Sequence, residues 1–379
     1  MSRSRSRRDA LRALSLGAAG LPLAGCAGVL GWREPVEVVI PPPAPVEALP
    51  RQPAEVLPAP QSGEIDPFDP EPALILPPRI PEGGTIGLIA PAGVLRSRDQ
   101  LARAVASVEG LGFRTKVGRH VLARHGFLAG TDEQRASDVM AMATDPDVDA
   151  VLAVRGGWGC ARILPLLDYD QIAAHPKPIV GYSDTTALLL AIYARTGLVT
   201  FHGPVGVSTW QGVTPRSFVQ TLVQGEPPVI GPETRSNRDR TRTVTAGTAE
   251  GRVLGGNLTV ISALAGTGYL PPLADHVVFF EEIGEDAYRV DRMLIQLELA
   301  EGLGEAAAVV FGQCSRCSDG GSSWTAEEAI RRRLATYAGP SMQGAPIGHV
   351  SPVYTLPIGL PARVDTEAGT MEYASGAVA

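Results

Sequence analysis

Ser183 stands where a short apolar run, Ile179-Val180-Gly181 behind Pro178, meets a run that reads as a buried helix from Thr185 to Ala194, closed by Gly197. A serine at a strand-to-helix corner projects its hydroxyl above the sheet edge, beside the free N–H groups that begin the helix. That geometry suits a nucleophile and the oxyanion it creates. Ser183 and Asp184 could equally cap the helix, a role both residue types fill well. A nucleophilic serine needs a base, and the base needs an orienting acid. Of the six histidines, His175 (before Pro-Lys-Pro) and His276 (beside Asp275) read as solvated. His202 and His349, at strand ends next to glycine, are the credible bases. Glu281 and Glu282 close the apolar run Val277–Phe280, where alternation should turn one side chain inward. An inward carboxylate is costly unless paired, and a buried histidine would pair it.

Other chemistry finds less support. Arg155-Gly156-Gly157-Trp158-Gly159 follows the apolar run Ala150–Val154 directly. Such a turn lets backbone N–H groups approach a ligand, but its glycine spacing is not a nucleotide fingerprint. Cys314-x-x-Cys317 lacks the second pair a zinc site requires, leaving a local disulfide or plain thiols. No His-Glu-x-x-His or carboxylate-rich loop occurs, so neither metal nor cofactor is expected.

The elements that must hold these groups alternate. Thr85–Ala90, Ala150–Val154 and the run before Ser183 read as buried strands, and Arg98–Leu111, Asp132–Ala143 and Asp168–Ala174 as helices. Continuous apolar strands between helices indicate a parallel α/β sheet. Further on, Val277–Phe280 and Ala307–Phe311 read as strands, Arg289–Ala300 as an amphipathic helix, and Ile347–Val350 as a strand or its edge. Residues 206–245 show little period and read as a connection or a loop over the site. The expected organisation is a signal over 1–26, a tether over 27–80, a nucleophile domain over 81–215, a connecting segment over 216–245 and a C-terminal domain over 246–379.

The amino terminus reads as an address. Arg7-Arg8 precedes an Ala/Gly/Leu-rich run from Ala13 to Gly25, too short and weak for a permanent membrane span, which matches a Tat-type export signal. It ends in Leu23-Ala24-Gly25-Cys26, like a bacterial lipobox with Cys26 as the lipidated terminus; an ordinary cleaved signal is the alternative. The proline-rich, aperiodic stretch that follows cannot bury a core and reads as a tether holding a domain off a membrane. Removing the five arginines and one aspartate of the first 26 residues takes the net charge from -7 to -11, which argues against nucleic-acid binding.

In order along the chain, Ile86-Gly-Leu-Ile-Ala-Pro-Ala92, Leu128-Ala-Gly-Thr-Asp-Glu-Gln-Arg135, Val154-Arg-Gly-Gly-Trp-Gly159, Pro178-Ile-Val-Gly-Tyr-Ser-Asp184, Thr200-Phe-His-Gly-Pro204, Gly255-Gly-Asn-Leu258, Phe280-Glu-Glu-Ile-Gly-Glu285 and Gly348-His-Val350 together resemble the serine LD-carboxypeptidase family. That family includes muramoyltetrapeptide carboxypeptidases and microcin-immunity peptidases. The resemblance implies an N-terminal parallel-sheet domain like that of class I glutamine amidotransferases, with a smaller C-terminal α/β domain. It implies Ser183 as nucleophile, Glu281 as acid, His349 as base, and an oxyanion hole of backbone N–H groups from Asp184 and from Gly156 or Gly157. The implied reaction releases terminal D-Ala from a murein tetrapeptide through an acyl-enzyme. Thr185 stands where an α/β-hydrolase elbow would have glycine, so the chemistry is shared and the fold is not. The expected partners are the murein peptide and a membrane reached through the lipid anchor alone, with no nucleic acid and a homodimer left open. The family's familiar members work on cytoplasmic muropeptides, whereas this chain reads as exported to the periplasmic face. Another peptide substrate, or a muropeptide-binding protein with an inactive triad, are therefore the alternatives.

Overall fold

The computed structural model describes residues 72–231 and 241–379; the export signal, Cys26 and most of the expected tether lie outside the described residues. The first half of the chain forms β1 (Thr85–Ile89), β2 (Arg114–Val117), β3 (Ala150–Ala153), β4 (Ile179–Gly181) and β5 (Thr200–His202); β2, a polar edge strand of sequence Arg-Thr-Lys-Val, gave no apolar signal in the sequence. All five are parallel, in the order β5-β4-β3-β1-β2. Between them run α1 (Arg98–Glu109), α2 (Asp132–Thr144), α3 (Cys160–Ile163), α4 (Tyr169–Ala174) and α5 (Thr186–Thr196). Capping residues set the starts: Ser97, Thr131 and Asp168 each accept a backbone N–H of the first turn, and Gln134 completes a capping box with Thr131. α5 is buried from Thr186 to Tyr193 and ends at Gly197 in the left-handed region, as its composition foretold. It carries no polar face because α4 and the first sheet lie against it as well as elements of the second half of the chain.

That second half begins with α6 (Val213–Val219), β6 (Val229–Ile230) and β7 (Arg242–Thr245). It continues through β8 (Thr248–Asn257), α7 (Leu258–Leu264), β9 (Val277–Ile283), α8 (Ala287–Glu301), β10 (Ala308–Ser315), α9 (Ala326–Leu334) and β11 (Ser341–Gln343), and ends in β12 (Leu356–Ile358), β13 (Pro361–Asp365) and β14 (Thr370–Tyr373). Eight of these strands form a mixed sheet, β6-β14-β13-β8-β9-β10-β11-β7, in which β8 to β11 are parallel and the flanks antiparallel. β12 instead returns to the first sheet, antiparallel to β5, so the last part of the chain is shared between the two sheets. β9 lies between β8 and β10, and Val277–Phe280 are wholly buried.

Several expectations are corrected. The tether ends earlier than residue 80: Ile75 exchanges backbone hydrogen bonds with Gly197 and Val199, and Ile80 is core. The expected connecting segment is structured up to residue 231, because Phe218 and Leu222 are buried. Ser217, and Thr214 just before the segment, accept the N–H groups of Thr355 and Val353, each at 3.0 Å. Weak periodicity hid this because the burying partner lies some 140 residues downstream. Ile347–Val350 is a loop rather than a strand, and His276 is buried with Nδ1 2.8 Å from the Ala274 carbonyl.

Candidate active site

β4 ends at Gly181, Tyr182 is extended, and Ser183 takes φ +63, the left-handed region that a β-carbon disfavours by roughly 1–2 kcal/mol. Ser183–Thr185 form a 3-10 turn leading into α5. Neither that turn nor α5 has a side-chain cap, so the capping alternative for Ser183 is excluded. Strain held at a residue that caps nothing marks a position kept for another purpose. Asp184 turns away and accepts the Cys160 N–H at 2.8 Å, capping α3 and fixing the end of the glycine-rich turn. Burial raises the Asp184 carboxyl, an effect the Cys160 donors oppose. Burial, with Asp184 beside it, also pushes the Cys160 thiol well up, which leaves it a poor nucleophile. Arg135 ties the same turn down, donating to the Gly159 carbonyl at 2.8 Å and to that of Pro91 at 2.5 Å.

Gly156 lies directly against the serine. A methyl group there would sit 2.8 Å from Ser183 Cβ, 3.0 Å from its Oγ and 3.3 Å from the Asp184 nitrogen. As the second residue of the turn, Asp184 has an N–H with no acceptor inside that turn. The glycine-rich turn and the start of α5 thus bring bare backbone to the serine hydroxyl.

The residues expected as acid and base come from the second half of the chain. Glu281, on β9, is wholly buried, and its Oε2 lies 2.7 Å from His349 Nδ1. With Nδ1 donating to the carboxylate, Nε2 is left as an acceptor, the tautomer a general base requires. Gly348 permits the approach, since a β-carbon there would lie 2.8 Å from Glu281 Cβ. The His349 backbone carbonyl accepts the Ser315 hydroxyl at 3.2 Å, and its ring rests 4.9 Å from the Tyr182 ring, next to Ser183 in the chain. Ser183 and His349 share no hydrogen bond in this structure; Tyr182 is the link between them. Burial raises the Tyr182 phenol, and the negative charge at Glu281 adds to this.

Two expectations change here. His202, the other candidate base, is enclosed behind Tyr182 and Phe279, at ring distances of 5.9 and 5.2 Å, and both its nitrogens lack a partner among the described residues. Burial lowers its pKa to about 4, against the pull of Glu281, so it is a neutral packing residue. Moreover, Glu281 and Glu282 are both inside, on opposite faces of β9. Glu282 accepts from Thr259 N and Oγ1 (2.8 Å each), Ile283 N (2.7 Å) and Asn257 Nδ2 (3.1 Å). Burial raises its pKa, with the charge at Glu281 adding to this, and the Ile283 and Thr259 donors pull it back. The Asn257 N–H also donates to Thr186 Oγ1 at 3.1 Å, fastening the strand beside Glu281 to the start of the serine helix. Sequence reasoning assigned Asn257, Thr186 and Tyr182 no role; the Gly255-Gly-Asn motif was the available signal.

A cavity of about 440 Å³ opens at His349, lined in part by Tyr182, Ser208, Ser315, Arg316 and Val350. Val207–Thr209 line it too, within the stretch expected to lie over the site. The Cys314–Cys317 pair, left open by the sequence, is a disulfide with Cα atoms 5.5 Å apart.

Residues 86–203 match the LD-carboxypeptidase N-terminal domain and residues 250–364 the LD-carboxypeptidase C-terminal domain. The chain is 34% identical over 310 residues to the probable murein peptide carboxypeptidase of Bacillus subtilis, covering 79% of this chain and 94% of that protein. MccF solved in complex with glutamyl sulfamoyl guanosine superposes with a TM-score of 0.73 at 26% identity, over 80% of this chain and 99% of the other. The muramoyltetrapeptide carboxypeptidase of Oxalobacter formigenes does so with a TM-score of 0.67 at 31% identity, over 77% and 98%.

Proposed function

Since the chain belongs to the LD-carboxypeptidase family and is a serine-type hydrolase of that family, we propose that it releases the terminal D-Ala of murein tetrapeptides through an acyl-enzyme on Ser183. In this reading His349, oriented by Glu281, takes the Ser183 proton on Nε2 as the oxygen attacks the amide carbonyl. The N–H of Asp184 and one from Gly156 or Gly157 hold the oxyanion. His349 then returns the proton to the leaving amine, which departs as D-Ala, and water hydrolyses the ester. Catalytic hydrogen bonds are often long in a ligand-free enzyme and tighten around substrate, which accounts for a serine and a histidine not yet joined. The observation that carries the reading is the buried Glu281–His349 contact beside a serine held at positive φ.

The test is incubation of the purified chain with a defined tetrapeptide and measurement of free D-Ala. Ser183→Ala should lower the rate by about 10⁴-fold or more while the peptide still binds. Binding without release by the unaltered chain would instead support a muropeptide-binding protein with an inactive triad. The likeness to MccF favours a second reading, a peptidase acting on a peptide antibiotic. Preferential cleavage of a peptidyl-nucleotide conjugate over the tetrapeptide would support it. We place the enzyme at the periplasmic face, exported by the twin-arginine signal and anchored through Cys26. Cys26→Ser should release it from membranes in fractionation.

A further inference from the structure

Among the described residues, the cavity beside His349 contains one formal cation that nothing in the reaction described above uses. Arg316 lines it, exposed and next to Ser315, whose hydroxyl is bonded to the backbone of the base. Among the described residues its guanidinium makes no hydrogen bond or ion pair, whereas Arg289, Arg332 and Arg333 all face carboxylates. No Asp or Glu among the described residues lines the cavity. Arg316 is also held in place. It lies at φ +56 inside the four-residue ring closed by Cys314–Cys317, and the ring is pinned to the end of β9 where the Ser315 carbonyl accepts the Gly284 N–H at 2.9 Å.

An enzyme that removes a terminal residue must recognise the free carboxylate that distinguishes an end from an internal bond. That carboxylate lies one carbon from the nitrogen that His349 protonates in the proposed reaction, so its receptor must sit at the same mouth as the base. A planar guanidinium with forked donors and no competing acid suits it. We propose that Arg316 grips the terminal carboxylate of the substrate, and that the Cys314–Cys317 bridge holds it in position. The assignment rests on the carboxypeptidase reading and names the specificity-determining residue of that site.

The test separates the two ideas by measuring binding apart from turnover. In the full chain carrying Ser183→Ala, affinity is measured by calorimetry for a tetrapeptide ending in D-Ala and for the same peptide ending in D-alaninamide. With Arg316 present, the acid should bind about 10- to 100-fold tighter, the range of one charge-assisted hydrogen-bonded pair. Arg316→Asn, a residue at ease in the left-handed region, should abolish that preference and leave amide binding unchanged; Arg316→Lys should restore part of it. In turnover with Ser183 present, Arg316→Asn should raise KM for the acid more than it lowers kcat. Equal affinity of the Arg316 protein for acid and amide, or equal weakening of both by Arg316→Asn, overturns the assignment. So does failure of the acid peptide to bind. A retained acid preference with no D-Ala release upholds Arg316 and overturns the hydrolytic reading. Joint replacement of Cys314 and Cys317 by serine should lower the acid preference, and no change would remove the bridge from the proposal.

Discussion

Replacing Glu281 by glutamine tests the reaction at the contact on which it depends. The carboxylate is wholly buried, and its Oε2 is 2.7 Å from His349 Nδ1. In the proposed reaction His349 takes the serine proton, and an imidazolium forms beside that carboxylate. With charge centres about 4 Å apart and an effective dielectric near 20, the pair gains about 4 kcal/mol. Glutamine offers an acceptor of the same shape but no charge, so most of that gain is lost from the transition state. The expected fall in kcat is about 10³-fold, with KM little altered. Folding stability should change by no more than about 1–2 kcal/mol, since the amide oxygen can still accept from Nδ1–H. Steady-state D-Ala release gives kcat, and urea unfolding gives the stability. Added to His349→Ala, the substitution should cost nothing further, because the two residues act as a unit. A kcat within tenfold of the parent, or a fully additive effect in the double variant, would refute the reasoning.

Two further outcomes follow from the same geometry. Gly156→Ala places a methyl 2.8 Å from Ser183 Cβ and 3.0 Å from its hydroxyl, so either the serine or the glycine-rich turn must shift. It should cost about 1–3 kcal/mol in urea melts and at least about 10²-fold in kcat/KM, and near-normal values for both would show that the turn has room to spare. His202 falls from an ordinary value of 6.5 to about 4 on burial, so the native state keeps it neutral while the unfolded chain protonates it. Its contribution is therefore complete above pH 6.5 and is lost as pH falls toward 4, a difference of about 3 kcal/mol. His202→Phe should flatten the decline in unfolding free energy over that window by about this amount, and parallel pH profiles would count against a buried neutral imidazole.

Local sequence carried what local physics decides. The apolar runs of β1, β3 and β9 declared buried strands because nothing polar interrupts them, and Gly197 ended α5 because few other residues tolerate its left-handed φ. Ser183 was legible as a corner residue from the change of pattern on its two sides, and the ordered motifs pointed to Glu281 and His349. Tertiary structure decided what depends on how separate elements pack. Which histidine could serve as base was one such question: His202 and His349 have similar neighbours in sequence, and only the packing shows one sealed behind Tyr182 and the other 2.7 Å from a carboxylate. The inward-facing Glu282 was another, because its four donors lie on Asn257, Thr259 and Ile283, and alternation predicts a side but not what waits there. The segment after residue 206 looked shapeless for the same reason, since its order is supplied by Val353 and Thr355. Periodicity records which way a side chain faces; it cannot record the partner when that partner is contributed by another strand or loop, whether tens of residues away or more than a hundred.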